Sequence, residues 1–180
     1  YSDPNGLFYG GNRPAWSSKT IRSILKRYLE NARQVVIVDI HTGLGAYGSA
    51  EVILNLPETS KSYQHAIAVW GEKLVRTTVT GDSVSVHLDS SMKLAFPAML
   101  PNAAVTAVSL EFGTTPPMKI FKALRAENWL HHHAAPEYSR ADEIKACLLR
   151  SFYPDDAVWR KKVWEKGKDV IERVMTNFKN

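Results

Sequence analysis

The 180-residue chain contains a single cysteine, Cys147. One cysteine can form neither an internal disulfide nor a zinc site built from cysteines, and its scarcity favours a reducing, cytoplasmic setting. The surrounding pattern predicts a helix on which Cys147 shares an apolar face with Ile144 and Leu148. We therefore expect a small buried residue at this position rather than a nucleophile.

Long apolar runs are absent too, so the sequence predicts neither a membrane span nor a signal peptide. The composition, with 44% hydrophobic and 23% charged residues, is ordinary for one globular domain. The net charge is +5, but the basic residues are spread over predicted helices and do not alternate with aromatic residues on a strand. This distribution is typical of solvated helix faces, and we expect no nucleic-acid partner and no membrane partner.

Common catalytic motifs are also missing. The sequence has no Gly-x-Ser-x-Gly elbow and no Gly-x-x-x-x-Gly-Lys-Ser/Thr phosphate loop. It has no His-x-x-Glu, His-Glu-x-x-His or His-x-x-x-His spacing, although a catalytic zinc normally has three protein ligands. Three consecutive histidines occupy positions 131–133. Adjacent helical residues point about 100° apart, so His131 and His133 could share an ion only if the helix has already ended.

What the chain does contain is a pattern of strands and helices that predicts a three-layer α/β fold. The β-branched runs at 35–40 and 105–111 are typical of strands covered on both faces. We expect a mostly parallel or mixed central sheet flanked by helices, in a single domain over residues 1–180. Further strands are predicted at 51–56 and, as a strand or hairpin, at 75–90. Helices are predicted from Ser17 and over 63–74, 116–131, 140–151 and 155–178. The pattern of residues 91–100 is ambiguous and is compatible with a short helix.

The first apolar run ends in Asp39-Ile40-His41, followed by a glycine-rich turn. Asp39 and His41 are two residues apart and therefore project from the same face of a strand. Open α/β sheets place ligands at the carboxyl ends of their strands. His41 is thus a candidate metal ligand with Asp39 as the group that orients its ring. The alternative is a hydrogen-bonded histidine in a polar network at the strand end.

The second apolar run delivers Glu111, which is again followed by glycine. Burying a carboxylate at the end of such a strand costs several kcal/mol unless the group is paired, neutralised or linked to a metal. A general base beside a metal is one reason to keep it there. A structural salt bridge to Arg125 or Arg76 is an equally good explanation from spacing alone.

These motifs resemble the second half of the zinc carboxypeptidase superfamily, which includes succinylglutamate desuccinylases and aspartoacylases. The resemblance is closest to an uncharacterised branch of that superfamily and covers nearly the whole chain. The similar segments are residues 4–11, 14–17, 39–45 with Tyr47-Gly48, 110–114, 128–131 and the stretch from Phe152-Tyr153 to Trp159 and Trp164.

The resemblance implies a zinc-dependent hydrolase of carboxypeptidase or deacylase type that acts on amide bonds. In that superfamily two histidines and one glutamate hold zinc, and the second histidine corresponds to His41. The glutamate on a later strand is the general base and corresponds to Glu111. Substrates implied by the resemblance are peptides or N-acyl amino acids.

The chain departs from the superfamily pattern because the His-x-x-Glu ligands are absent. We therefore expect the carboxyl-terminal portion of a larger catalytic domain, whose preceding half supplies the other zinc ligands; alone, it should bind zinc weakly and be inactive. An unpaired sheet edge would also allow a homo-oligomer. Residues with weaker claims to a supporting or substrate-binding role are Asp39, Thr42, Tyr47, Thr114 and Tyr138.

A second function stays open. The fold could serve as a metal-free module that binds a peptide or a small acid in the cleft at the strand ends, with a degenerate catalytic site. A natural short relative without metal would fit that description.

Overall fold

A computed structural model describes residues 3–88, 91–135 and 137–178, and its centre is a four-stranded mixed sheet. The sheet order is β1-β4-β2-β3, with β1 parallel to β4, β2 antiparallel to β4 and β3 parallel to β2. The predicted α/β class with a mixed sheet flanked by helices is confirmed. The strands are β1 (Gln34–Gly43), β2 (Ala50–Leu54), β3 (Val75–Thr77) and β4 (Ala104–Gly113).

Six helices surround this sheet in the described part of the chain, and two of them begin at a residue whose side chain caps the first turn. The Ser60 hydroxyl accepts the N–H of Tyr63, and the Asp156 carboxylate accepts that of Val158. Pro117 occupies the first turn of its helix, where a missing N–H costs nothing. The helices are α1 (Trp16–Leu29), α2 (Lys61–Trp70), α3 (Met92–Met99), α4 (Pro117–His133), α5 (Ala141–Phe152) and α6 (Ala157–Asn177).

The two faces of the sheet bury separate hydrophobic clusters. Because successive strand residues point to opposite faces, Leu110 of β4 packs in the cluster that contains residues of α2 and α6. Ala107 packs on the other side, with Leu25 of α1 and Phe96 of α3. The indole N–H of Trp70 donates to the backbone oxygen of Val170 and joins α2 to α6. The strand-end residues sit on the α1/α3 side of the sheet.

β1 lies at the edge of this sheet, and its only strand partner in the described ranges is β4. Its apolar residues are accordingly less buried than the sequence predicted for a strand covered on both faces. Val36 and Val38 are half-buried, and Ile40 is 61% exposed. An apolar edge strand of this kind is open to pairing with a further strand.

The prediction of a strand or hairpin over 75–90 is wrong for most of its length. Regular pairing stops at Thr77, and residues 78–88 form turns and irregular structure; residues 89 and 90 lie outside the description. The Thr77 hydroxyl donates to the Leu56 oxygen and accepts the Val79 N–H. Such side-chain bonds compete with a strand ladder.

The prediction that Cys147 faces the core also fails. Cys147 is exposed, because the side of α5 that carries it borders a cleft between α4 and α5 rather than the core. On α6, Val170 and Val174 are buried, whereas Ile171 and Phe178 are exposed. Among the described helices, none has the length and apolar character needed to cross a membrane.

Candidate active site

The candidate site is a row of side chains at one end of the sheet. His41 of β1 is in register with Glu111 of β4, which is in register with Glu51 of β2. Residues opposite each other on neighbouring strands share a face of the sheet. Asp39, two residues earlier on β1, belongs to the same face. The structure therefore brings together His41, Glu111 and Asp39, the three residues on which the sequence analysis depends most.

The imidazole of His41 is held between two carboxylates. Its Nε2 atom lies 2.8 Å from Asp39 Oδ2, and its Nδ1 atom lies 3.9 Å from Glu111 Oε2. The contact with Asp39 occupies the Nε2 side of the ring and leaves Nδ1 on the side of Glu111. This carboxylate–imidazole pair is the arrangement that orients a metal-binding histidine.

Glu111 is a buried carboxyl with a defined orientation. Its Oε1 atom accepts the backbone N–H of Leu44 at 3.0 Å. Burial raises the pKa of Glu111 above its ordinary value, and the Leu44 N–H and the charge of His41 partly oppose this effect. A carboxylate whose pKa is raised accepts a proton more readily than an ordinary carboxylate, which suits a general base.

The alternative partners considered for Glu111 lie elsewhere. Arg76 donates to the backbone oxygens of Glu72 and Val75, and the guanidinium of Arg125 lies over the ring of Phe121. The hypothesis of a structural salt bridge between Glu111 and one of these arginines is therefore wrong.

Lys93 is a member of the site that sequence reasoning missed. It lies in the first turn of α3 and donates from Nζ to the backbone oxygen of Ile53 at 3.2 Å. Burial lowers the pKa of Lys93 to about 8, although the carboxylates of Asp39 and Glu111 act in the opposite direction. The available signal was a lysine inside the apolar segment 92–100.

Glu51 was missed as well, because its position matters only through the register of β2 against β4. It is partly buried, and its carboxylate accepts the backbone N–H of Val84 at 3.2 Å. Its negative charge adds to the effects that raise the pKa of Glu111. Repulsion between the two carboxylates makes a nearby cation valuable, and Lys93 supplies one.

The loop after β1 positions the Leu44 N–H. Gly48 donates from its backbone N–H to the Gly113 oxygen at 2.9 Å, and the indole of buried Trp159 donates to the same oxygen at 2.9 Å. A Cβ at Gly113 would lie 1.9 Å from the Ala46 oxygen, so only glycine allows this approach. The loop and the end of β4 thus form one packed unit.

Residues 43–48 of this loop have the spacing Gly-x-Gly-x-x-Gly. In dinucleotide-binding proteins that spacing opens a helix after a strand, and the helix N-terminus holds the phosphates. Here the segment leads from β1 into strand β2. The structural context of a dinucleotide site is therefore not met by this loop.

The residues with weaker claims are dispersed. Thr114 is buried, and its hydroxyl lies 2.7 Å from the Ser151 oxygen and 3.2 Å from the Gly43 oxygen. Tyr47 donates a short hydrogen bond to Asp156. The ring of Tyr138 packs edge-on against Trp129. Thr42 follows His41 on β1 and belongs to the opposite face.

The side-chain atoms of the site show whether it could hold a metal ion. His41 offers an oriented Nδ1 that makes no hydrogen bond to a described residue, so it suits one ligand position. Over residues 3–88, 91–135 and 137–178, however, no three His, Cys, Asp or Glu side chains are grouped to hold a metal ion. The histidines at 131–133 all lie within α4, so the helix has not ended before them. The described residues fit one ligand and a base, not a complete metal site.

Comparison with known proteins identifies a family. A family model described as "Protein of unknown function (DUF2817)" matches residues 1–166. The chain belongs to the DUF2817 family. No curated protein and no solved structure matches it. The DUF2817 description states no activity, so the chemistry of the site is argued from its residues.

Proposed function

We propose that the chain contributes to a zinc-dependent hydrolase of amide bonds, of carboxypeptidase or deacylase type. In this proposal His41 is one zinc ligand and Glu111 is the general base. The observation that carries it is the orientation of His41: Asp39 binds Nε2, and Nδ1 faces the Glu111 carboxylate at 3.9 Å. The similarity of the strand-end motifs to the zinc carboxypeptidase superfamily supports the same assignment.

The described residues have defined tasks in such a reaction. Asp39 holds the ring of His41 so that Nδ1 remains available. Glu111 removes a proton from the attacking water and then passes it to the leaving nitrogen, which its raised pKa favours. Zinc, when bound, supplies polarisation of the scissile carbonyl. Lys93 balances the negative charge of Asp39 and Glu111.

The remaining zinc ligands would come from outside the described residues. His41 lies on β1, the edge strand whose apolar residues are only half-buried. A further segment of the same protein that pairs with this edge would lie beside His41. We therefore propose that such a segment completes both the sheet and the ligand set.

Zinc binding tests the ligand assignment. In the full-length natural protein, His41→Ala should weaken zinc binding by more than tenfold, and Asp39→Asn should weaken it by about 10- to 100-fold. His132→Ala is the matched control, because His132 is an exposed histidine on α4. Equal loss in both histidine variants would contradict the assignment, as would one tightly bound zinc in residues 1–180 alone.

Activity tests the base. Glu111→Gln keeps an oxygen that can accept the Leu44 N–H, so the side chain stays oriented. Hydrolysis of a panel of N-acyl amino acids and peptides should fall by about 10²- to 10⁴-fold with zinc still bound. Unchanged kcat in a zinc-loaded Glu111→Gln protein would remove Glu111 from the mechanism.

A second candidate function is a metal-free module that binds a peptide or small acid at the strand ends. The observation that favours it is Lys93, since its amine already places a cation among the carboxylates of Asp39 and Glu111. In that case a chelator would leave ligand binding unchanged. A hydrolase would instead lose activity with the chelator and regain it with zinc.

A further inference from the structure

A cleft of about 430 Å³ lies between α4 and α5. It is separate from the row formed by His41, Glu111 and Glu51. Its floor includes Thr115, just after β4, and Ser151 near the end of α5. A volume of this size lies within the range of small-molecule sites.

The walls and the rim of the cleft differ in chemistry. Ala126 of α4 and Ile144 and Cys147 of α5 contribute apolar surface, which makes up most of the lining. Three cationic side chains also line the cleft. Lys119, Lys122 and Arg150 are solvent-exposed, and none of them forms an ion pair with a residue that the structure describes. The cleft therefore combines an apolar interior with an excess of positive charge.

The remaining charges do not cancel this excess. Arg140 and Glu143 also line the cleft, but they bind each other through two hydrogen bonds of 2.9 and 3.1 Å. That pair contributes no net charge. The three other cations face the cleft without an acidic partner from the described residues.

The floor holds an unsatisfied polar atom. The hydroxyl oxygen of Thr115 is buried and makes no hydrogen bond to any residue that the structure describes. Leaving a buried hydroxyl unpaired costs free energy, and such atoms are rare in folded proteins. This oxygen is closed off from the cleft, so the recognition of a ligand there depends on the cations and the apolar wall.

We propose that the cleft binds a small carboxylate that carries an apolar tail. The carboxylate lies among Lys119, Lys122 and Arg150, and the tail covers the surface of Ala126 and Ile144. A bare inorganic anion would leave the apolar wall uncovered, and a neutral apolar molecule would leave the three cations without a partner. This inference is independent of the proposed hydrolase and uses none of its residues.

Cys147 provides the measurement, because it is the only cysteine of the chain and it lines the cleft. The probe is octanoate, and the readout is the rate at which the neutral reagent 4,4′-dithiodipyridine modifies Cys147. At an octanoate concentration ten times its Kd, modification should slow about tenfold, because occupied protein is shielded. Octylammonium and acetate should protect far less, since one has the opposite charge and the other has no tail.

Variants identify the contacts. Lys119→Gln and Lys122→Gln should each raise the octanoate concentration needed for half-maximal protection of Cys147 by about threefold, the usual effect of one exposed charge. Ala126→Phe fills the apolar wall and should abolish protection. Lys145→Gln is the matched control, because Lys145 is an exposed cation on α5 that does not line the cleft.

Several results would overturn the proposal. Protection by octanol or octylammonium equal to that by octanoate would show that no anion is selected. An effect of Lys145→Gln as large as that of Lys119→Gln would show that only the overall charge matters. Absence of protection by octanoate at millimolar concentration would show that the cleft does not bind this class of ligand.

Discussion

The backbone N–H of Leu44 donates to Glu111 Oε1 at 3.0 Å, although 67 residues separate them in the chain. The bond couples the loop after β1 to the candidate base at the end of β4. It depends on the close approach of that loop to Gly113, where the Gly48 N–H and the Trp159 indole share one carbonyl oxygen. The orientation of Glu111 is thus a property of two strand ends packed together.

Gly113→Ala should disrupt this unit. The added Cβ would lie 1.9 Å from the Ala46 oxygen, so the loop must move away. We expect a loss of about 3 kcal/mol in the free energy of unfolding, the upper end for overpacking. Gly167→Ala is the control: in α6 its Cβ would meet only Phe112 Cζ at 3.7 Å, and the change should stabilise by about 0.5–1 kcal/mol. Urea unfolding measures both, and equal effects would contradict the account.

Glu111→Gln should change how stability depends on pH in the chelator-treated protein. Because burial raises the pKa of Glu111, the folded state binds this proton more tightly than the unfolded state. Stability of the natural protein should therefore fall as the pH rises through 4.5 towards the folded pKa, and remain lower above it. The variant lacks that decrease. The difference in free energy of unfolding, variant minus natural protein, should grow between pH 4 and pH 7; a difference independent of pH would refute the prediction.

Lys93→Met tests the buried amine of Lys93. The pKa of this group is shifted downwards, whereas that of Glu111 is shifted upwards. The pKa of Lys93 is lowered from 10.5 to about 8, so the unfolded state holds this proton more tightly than the folded state. The penalty for the charged amine is complete below pH 8 and disappears as the pH approaches 10.5. Since the group is not fully buried, we discount the shift and expect Lys93→Met to stabilise by about 1–2 kcal/mol at pH 7.

The comparison between Lys93→Met and the natural protein is made by urea unfolding from pH 7 to pH 10. The natural protein should gain stability relative to the variant as the pH rises through this range. Lys145→Met removes a lysine from an exposed position and serves as the control for the substitution itself. A constant difference between Lys93→Met and the natural protein would mean that the amine is not buried as described.

The sequence was sufficient for β1, β4 and the residues at their ends. Long β-branched runs predict strands, and the polar residues that follow them emerge at the sheet's end. The burial on both faces that such runs also predict holds for β4 but not for the edge strand β1. His41 and Glu111 were found in this way. Their mutual distance follows from the register of β1 against β4, which no local pattern reveals.

Lys93 and Glu51 show where local patterns stop being informative. Glu51 reaches Glu111 because β2 inserts antiparallel beside β4, and Lys93 reaches the same face because α3 packs over it. Both facts depend on contacts between distant segments. The exposure of Cys147 was not predicted for a related reason. An apolar face on a helix can pack against the core or border a cleft, and the sequence pattern is the same in both cases.

Thr114 tests how the strand end is joined to α5. Its hydroxyl is buried and lies 2.7 Å from the Ser151 oxygen and 3.2 Å from the Gly43 oxygen. Thr114→Val has the same shape without a donor, and the loss of this one buried hydrogen bond should cost about 1–3 kcal/mol in the free energy of unfolding. Thr114→Ser keeps the donor and loses one methyl group, which should cost about 0.8 kcal/mol.

Hydrogen exchange separates a local role of Thr114 from a general loss of stability. If its hydroxyl joins Ser151 to the end of β1, Thr114→Val should accelerate exchange at the last turn of α5, including the Tyr153 N–H that donates to the Leu149 oxygen at 2.7 Å. Thr114→Ser should leave that turn protected. Acceleration spread evenly over α2 and α6, with none specific to α5, would show that Thr114 only fills space, because a lost tether must loosen first the element it holds.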